Sequence, residues 1–381
     1  MKYRPLGRTG IMVSEIGLGC EHMDGKDTAY VKAVFNEAFT QGINLFDMLN
    51  SAPETRTNFS KALNGRREQA VIQGHIGSIR KDGQYAMSRE LAECKEAFND
   101  LLARLGTNYI DIGMLHFIDT NEDFDAVFNG ELIAYAKELK EKGIIRAIGF
   151  DTHITSLAKR AVETGIIDVV MFSLNPAFDL LPGDMELDDM FIAEKLHPAM
   201  QNYIDPGRME LYQLCEQKGV AITVMKTYMA GQLLDASQSP FGLALSPVQC
   251  IHYALTRPGV ASAIIGCVTS DEIRQAMAYE TATSGEKDFS AVFGKTFTAQ
   301  GKCVYCNHCL PCPVQIDIGQ ANKYLDLAKV ACGIPETIKA HYNALQKRAG
   351  DCIHCGNCEE RCPFGVAVRE RMLEMVMLFG K

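Results

Sequence analysis

The sequence predicts an α/β fold, a (β/α)8 TIM barrel followed by a small, mainly helical domain, and three observations carry that expectation. Over the first 285 residues, eight near-continuous aliphatic runs alternate with amphipathic helical stretches, the pattern of parallel strands buried on both faces. Residues able to do chemistry gather at the ends of those runs, and a barrel keeps its reactive groups on its C-terminal rim. Eight of the 14 cysteines crowd into two runs beyond residue 300, which sets that part of the chain apart.

The strands expected, in order, are Ser14 to Cys20, Asn44 to Leu49, Ala70 to Gly77, Ile110 to Phe117, Ile145 to Phe150, Asp168 to Leu174, Ala221 to Thr227 and Ser262 to Cys267. The clearest helix between them is Ser88 to Leu105, where Leu91, Cys94, Phe98, Leu101, Leu102 and Leu105 form one apolar stripe. Ser88 is its expected N-cap and Gly106 its stop. Eight such units in about 250 residues make a closed barrel more economical than a doubly wound sheet. Against the doubly wound sheet, Gly17-Leu18-Gly19 lacks the third glycine of a dinucleotide fingerprint. The long stretch from Pro176 to Pro206 is expected to cap the barrel mouth. The join to the second domain falls near residues 285 to 300, giving a barrel over 1–290 and a second domain over 291–381.

The cysteine runs are Cys303, Cys306, Cys309, Cys312-Pro313 and Cys352, Cys355, Cys358, Cys362-Pro363. Three thiolates at every third residue wrap one iron–sulfur cube, while the fourth, followed by proline, reaches the other cube. The expected ligand sets are therefore crossed: Cys303, Cys306, Cys309 and Cys362 for one [4Fe-4S] cluster, and Cys352, Cys355, Cys358 and Cys312 for the second. Zinc is the alternative, but zinc sites usually take two CxxC or CxxH pairs, not triplets trailed by Cys-Pro. About 40 residues separate the runs, with helical character over Gly319 to Val330 and Glu336 to Arg348, so the module reads as a helical two-cluster ferredoxin-like domain. Two one-electron centres beside a barrel mouth point to electrons that travel singly while the organic reaction takes two.

Cys20, Cys94, Cys215, Cys250, Cys267 and Cys332 are scattered singly and read as reduced fillers of a reducing, cytoplasmic compartment. No apolar stretch approaches the ~20 residues of a membrane span, and the start MKYRPLGRTG has no apolar signal core. A formal charge of −9 without a basic block argues against nucleic acid. A small-molecule substrate is the favoured partner.

At the strand ends stand His22, Asp47, His75, His116, Asp151 with His153, Asn175 and Lys226. Asp47, His75 and His116 share inward parity, so a joint site is expected for those three. Each histidine taken alone is more often a hydrogen-bonded core residue than a catalyst.

These residues resemble the aldo-keto reductases. YRPLGRTGIMVSEIGLGC is similar to the N-terminal hairpin and first strand of that family, and GINLFD, NYIDIGMLH, IRAIGF and GVAITVMK follow in its order. With the cysteine tail, the whole chain is similar to the family's iron–sulfur branch. The resemblance implies a catalytic tetrad of Asp, Tyr, Lys and His around a nicotinamide. Asp47 and His116 stand at two of the four positions, whereas Ala52 stands where the Tyr is implied and His75 where the Lys is. An imidazole with an ordinary pKa of ~6.5 donates a proton itself near neutral pH, so His75 or His116 is expected to replace the Tyr–Lys pair. For the cofactor, the implied Ser-Asn pair is Asp151-Thr152, the implied Gln is Met171 and the implied aromatic is Met225. Asn175, Lys226, Cys267 and Thr269 remain as candidate cofactor contacts, the last two in a helix start whose amides can receive phosphate. Glu272 stands where an Arg favours NADPH, so NAD(H) is the expected choice if a nicotinamide binds.

The reading is an oxidoreductase acting on a carbonyl, hydroxyl or activated C=C group and exchanging electrons with a ferredoxin-like partner. Two other classes stay open. One is a metal-dependent lyase or isomerase, with the histidines of strands 1, 3 and 4 and Asp47 as ligands; the other is a non-catalytic electron-transfer protein.

Overall fold

In the computed structural model the eight principal strands close into one parallel barrel. The structure describes residues 1–293, 301, 303, 305–330, 334–362 and 364–380; Cys332, Pro363 and part of the expected join lie outside them. An antiparallel pair, β1 (Tyr3–Pro5) and β2 (Met12–Ser14), precedes the barrel strands β3 (Ile16–Gly19), β4 (Leu45–Met48) and β5 (Val71–Ile76). A second hairpin, β6 (Ser78–Lys81) and β7 (Gln84–Met87), leaves the rim before the barrel resumes with β8 (Ile110–Leu115). The ring is completed by β9 (Ile145–Thr152), β10 (Val169–Ser173), β11 (Ala221–Met225) and β12 (Val260–Gly266), which returns to β3.

The strands lie close to the expected runs. The main differences are β9, which runs on to Thr152 by pairing it with Phe172, and β12, which starts at Val260. Asp151 is therefore a strand residue and not a loop residue. The helix expected from Ser88 begins at Leu91, with Glu90 as N-cap. Ser88 is held elsewhere: its N–H donates to the Gly77 carbonyl and its Oγ accepts from Glu90 N at 3.1 Å. The stop at Gly106 is as expected, at φ +64.

Leu6, Ile11 and Val13 of the N-terminal hairpin join Leu45, Val71, Ile112, Met114, Val169 and Ile264 in a core that fills the barrel's interior. Leu101, Phe98 and the other outer aliphatics seal the helices to the strands.

The tail carries helices Ile318–Val330, Glu336–Asn343 and Val368–Phe379. The middle helix is shorter than expected because the Tyr342 hydroxyl accepts from Ala349 N and turns the chain back. The tail docks on the barrel's outer wall. Lys323 pairs with Glu216 at 3.1 Å, Gln217 Nε2 donates to the Leu327 carbonyl, and His308 meets Asp288 at 2.8 Å. Glu216 also accepts from Gly259 N, one residue before β12, so the pair marks the strands' N-terminal end. Neither cysteine cavity is lined by a residue of the barrel mouth. Within the segment from Pro176 to Pro206, the Gly183 carbonyl and Asp184 accept from Thr155 and Ser156 at the start of the next-door helix, and Asp179 accepts from the Tyr212 and Tyr253 hydroxyls. Among the described residues, no helix is long and apolar enough to cross a membrane.

Candidate active site and cluster cavities

Strand register brings the mouth residues to neighbouring heights. Asp47 pairs with Gln73 across β4 and β5, His75 with Met114 across β5 and β8, and Asp151 with Met171 across β9 and β10. His75 stands two residues beyond Gln73, so both point into the barrel. Gln73 donates to Asp47 Oδ1 at 2.7 Å and to Met171 Sδ at 3.2 Å, and accepts from Thr223 Oγ1 at 3.2 Å.

The three expected catalytic residues do meet. His75 Nε2 donates to Asp47 Oδ1 at 2.8 Å, and His75 Nδ1 lies 3.0 Å from His116 Nδ1. Sequence reasoning missed two further members. Asp151, expected among cofactor contacts, stands 3.5 Å from each of these imidazole nitrogens, and Tyr85 Oη of β7 lies 2.7 Å from His116 Nε2. Asp47, His75, His116 and Asp151 are buried, while Tyr85 is 52% exposed. Arg89 fixes the end of β8 by donating to the carbonyls of His116 and Phe117, and Phe117 takes a left-handed φ of +47 there. Local strain of this kind needs such a clamp.

The two histidines hold opposite protonation tendencies. Burial works against a charge on His75, but Asp47 and Asp151 outweigh it and raise its pKa to about 10. Burial lowers His116, and the charge on His75 adds to that despite Asp151. Asp151 is drawn far down: burial opposes its charge, but the two imidazoles overcome that. Burial, then Asp151 and Glu21, push the Tyr85 phenol up to about 12.

The other candidates are placed apart. His22 is exposed and lies against Gly266, away from the pair. His153 is bound to Asp119, 2.8 Å from its Nδ1. The ligand set expected for a metal, with His22 and Asp47, is thus not assembled. Asn175 donates to the Lys226 carbonyl and accepts from Ala177 and Phe178 N–H groups, which makes it a brace of the backbone. Lys226 itself sits at φ +60 in the loop after β11. Cys267 is buried, and its thiol is pushed up to about 12, chiefly by that burial. Thr269 caps the helix Ser270–Met277, and Glu272 completes the capping box by accepting from Val268 N at 2.6 Å and Thr269 N at 3.2 Å. That carboxylate occupies the amides expected to receive phosphate. With Met171 bonded to Gln73 and Asp151 facing the histidines, the residues present do not fit a nicotinamide dinucleotide held through the contacts the resemblance implies.

The cysteines fit their group well. One cavity is lined by Cys303, Cys306, Cys309 and Cys362, the other by Cys312, Cys352, Cys355 and Cys358, and Cys309 lines both. These are the crossed sets. Each cavity presents at least four thiols and otherwise mostly apolar walls such as Ile318 and Val368, a donor set suited to iron–sulfur cubes. Cys20, Cys94, Cys215 and Cys250, like Cys267, are buried free thiols.

Comparison with known proteins agrees with this geometry. A profile described as the aldo/keto reductase family matches residues 15–244, more than half of the chain, and one for a 4Fe-4S dicluster domain matches residues 302–367. An uncharacterized oxidoreductase of Bacillus subtilis is 26% identical over 288 residues, 72% of this chain and 90% of its own. The NADH-specific methylglyoxal reductase of Escherichia coli is 27% identical over 256 residues, 61% of this chain and 69% of its own. An aldo-keto reductase of Bacillus halodurans, solved in its holo form, shares the fold with a TM-score of 0.58 at 23% identity, over 78% of this chain and 96% of that one.

Proposed function

The chain belongs to the aldo/keto reductase family, and from that premise we propose that its barrel reduces or oxidises a small carbonyl, hydroxyl or activated C=C compound while electrons pass through two [4Fe-4S] clusters. Residues 1–290 are the reacting barrel, and residues 291–381 are the module that exchanges electrons with a ferredoxin-like partner in a reducing, cytoplasmic setting. When bound, each cluster supplies or accepts one electron, so the pair meets a two-electron change. Electrons and protons use separate ports, the outer wall for one and the mouth for the other.

The observation that carries this reading is the line of hydrogen bonds from Asp47 through His75 and His116 to Tyr85. A carboxylate only accepts, so His75 donates from Nε2 to Asp47. Protonated His75 then presents Nδ1–H to the lone pair of neutral His116. His116 donates in turn from Nε2 to the Tyr85 oxygen, which leaves the phenolic proton facing outward. A carbonyl reduced by two electrons takes up two protons: the one on its oxygen comes from Tyr85 and is replaced along the line from His75, and the one on its carbon comes from solvent water. Such a line supplies what Ala52 and the missing Lys do not. Glu272 favours NAD(H) over NADP(H), since its charge repels a 2′-phosphate, and the Escherichia coli relative is named for NADH. The altered contacts nevertheless make the clusters the better electron port.

The test uses the full chain under anaerobic conditions with reduced clusters. Methylglyoxal, the substrate in the name of that relative, is expected to restore oxidised-cluster absorbance in the wild type. His75→Ala should do so at least ~100-fold more slowly with iron content unchanged. Equal rates would remove the proton line, and no reoxidation by methylglyoxal or by an enone would remove the substrate class. Bleaching of oxidised clusters by NADH would move electron entry to a nicotinamide.

A further inference from the structure

The inner faces of the two histidines and Asp151 carry an inference that goes beyond the proton line. His75 and His116 each turn Nε2 outward, to Asp47 and Tyr85, and each turns Nδ1 inward. Asp151 meets the two inward nitrogens with one carboxylate oxygen each, Oδ1 toward His75 and Oδ2 toward His116, both at 3.5 Å. Once the proton on His75 Nδ1 is given up, with both Nε2–H groups engaged outside, two lone pairs and a carboxylate converge there. Asp151 Oδ1 is buried and has no hydrogen-bond partner. That set of acceptors, which holds the His75 proton in the proton line, can hold a metal cation in its place.

We propose that His75, His116 and Asp151 form a binding site for a divalent transition-metal ion at the barrel mouth, separate from the iron of the cysteine cavities. The three ligand atoms lie within 4.8 Å of one another, with the closest separations at 3.0 and 3.5 Å. Around an ion bonded at ~2.1 Å, neighbouring ligand atoms stand ~3.0 Å apart at right angles and ~3.4 Å apart in a tetrahedron. Two imidazoles and one carboxylate suit zinc, ferrous iron, cobalt or nickel better than magnesium or calcium, which prefer oxygen alone. The outer bonds match as well. Metal-binding histidines usually donate their other ring N–H to a carboxylate or another acceptor, as His75 does to Asp47, and this orients the ring and makes it more basic. Binding is an exchange: the ion takes the place of the proton on His75 Nδ1, one proton leaves for solvent, and no electron moves. Asp47 and Tyr85 keep their places behind the two rings.

The test reads metal content rather than turnover, so it stands whether or not the reductase reading does. Full-length protein with intact clusters, freed of loose metal by a chelator, is equilibrated anaerobically with Zn(II) or Co(II), desalted and analysed for metal. One equivalent beyond the cluster iron is expected in the wild type. Asp151→Asn, which keeps the shape of the side chain, and His116→Ala should each weaken binding at least ~100-fold with cluster absorbance unchanged, because even an outer-shell change costs about 10–100-fold. No extra zinc or cobalt in the wild type would overturn the site, as would full retention in Asp151→Asn. A Co(II) spectrum with thiolate charge-transfer bands would place the ion on cysteine and overturn it equally.

Discussion

His75 and His116 touch each other and yet titrate in opposite directions, because Asp47 and Asp151 both face His75 while burial dominates at His116. Identity alone does not set the behaviour of a histidine. His252 makes the point elsewhere in the barrel. Burial first, then the charges of Lys287, Arg257 and Arg4, lower its pKa to about 3, and it packs against Tyr279 and Phe289. The folded chain therefore keeps this imidazole neutral where the unfolded chain, with an ordinary pKa near 6.5, takes up a proton. Stability falls as pH drops from 6.5 toward 3, by roughly 2 kcal/mol between pH 6.5 and 5. Urea midpoints measured across that window should show the slope in the wild type and lose it in His252→Phe; an unchanged slope would mean His252 is already charged in the fold. At this scale the sequence supplied the residue types, and Asp47, His75 and His116 were legible through strand parity. Their charges were not, since these depend on neighbours remote in the chain.

The decisive element at the mouth is the short hairpin of β6 and β7. Its two-residue loop, Asp82-Gly83, has φ values of +51 and +76, the mirror-image turn whose twist suits a two-stranded ribbon. Ser78 Oγ donates to the Leu49 carbonyl and Ser51 Oγ to that of Ile79, which ties the hairpin to the end of β4 and sets Tyr85 over His116. The Asp-Gly signal stands in the sequence. It escapes a reading by hydrophobic period because the flanking strands, SIRK and QYAM, bury only the adjacent Ser78 and Ile79, which do not alternate. The helix Leu91–Leu105 was legible for the opposite reason: its stripe faces the barrel, with Cys94, Phe98, Leu101 and Leu105 all buried. Tyr85→Phe keeps the ring and removes only the hydroxyl. Carbonyl-dependent cluster oxidation should fall by about 100-fold or more while the melting temperature stays within ~2 °C of the wild type. Undiminished rates would show that the hairpin covers the site without taking part in it.

Across the whole molecule, the tail is fastened to the barrel by a buried ion pair. Lys323 and Glu216 are each 8% exposed, and burial lowers the lysine's pKa against the pull of Glu216. Lys323→Met would leave the Glu216 carboxylate buried, holding the hydrogen bond from the Gly259 amide but no cation in place of the lysine. Removing one partner of such a pair costs about 3–5 kcal/mol. A loss of that size in denaturant unfolding, with earlier proteolytic release of the tail, is the expected outcome; a loss below ~1 kcal/mol would mean that the apolar contacts hold the two parts together unaided. The docking also explains why clusters and mouth do not share a chamber. Helices run antiparallel to barrel strands, so Glu216, in the last turn of Pro206–Lys218, carries the tail away from the rim.

Local chemistry was written in the order of residues. Periodicity of two and of 3.6 announced eight strands and their helices, and cysteine spacing announced paired cubes with exchanged fourth ligands, because both are properties of neighbours along the chain. What only the tertiary structure decided is which distant groups meet: Asp151 and Tyr85 at the histidine pair, and the cluster module on the outer wall. Closing the ring and docking the tail bring together residues from 30 to more than 100 positions apart, and one sequence read alone carries no trace of such separations.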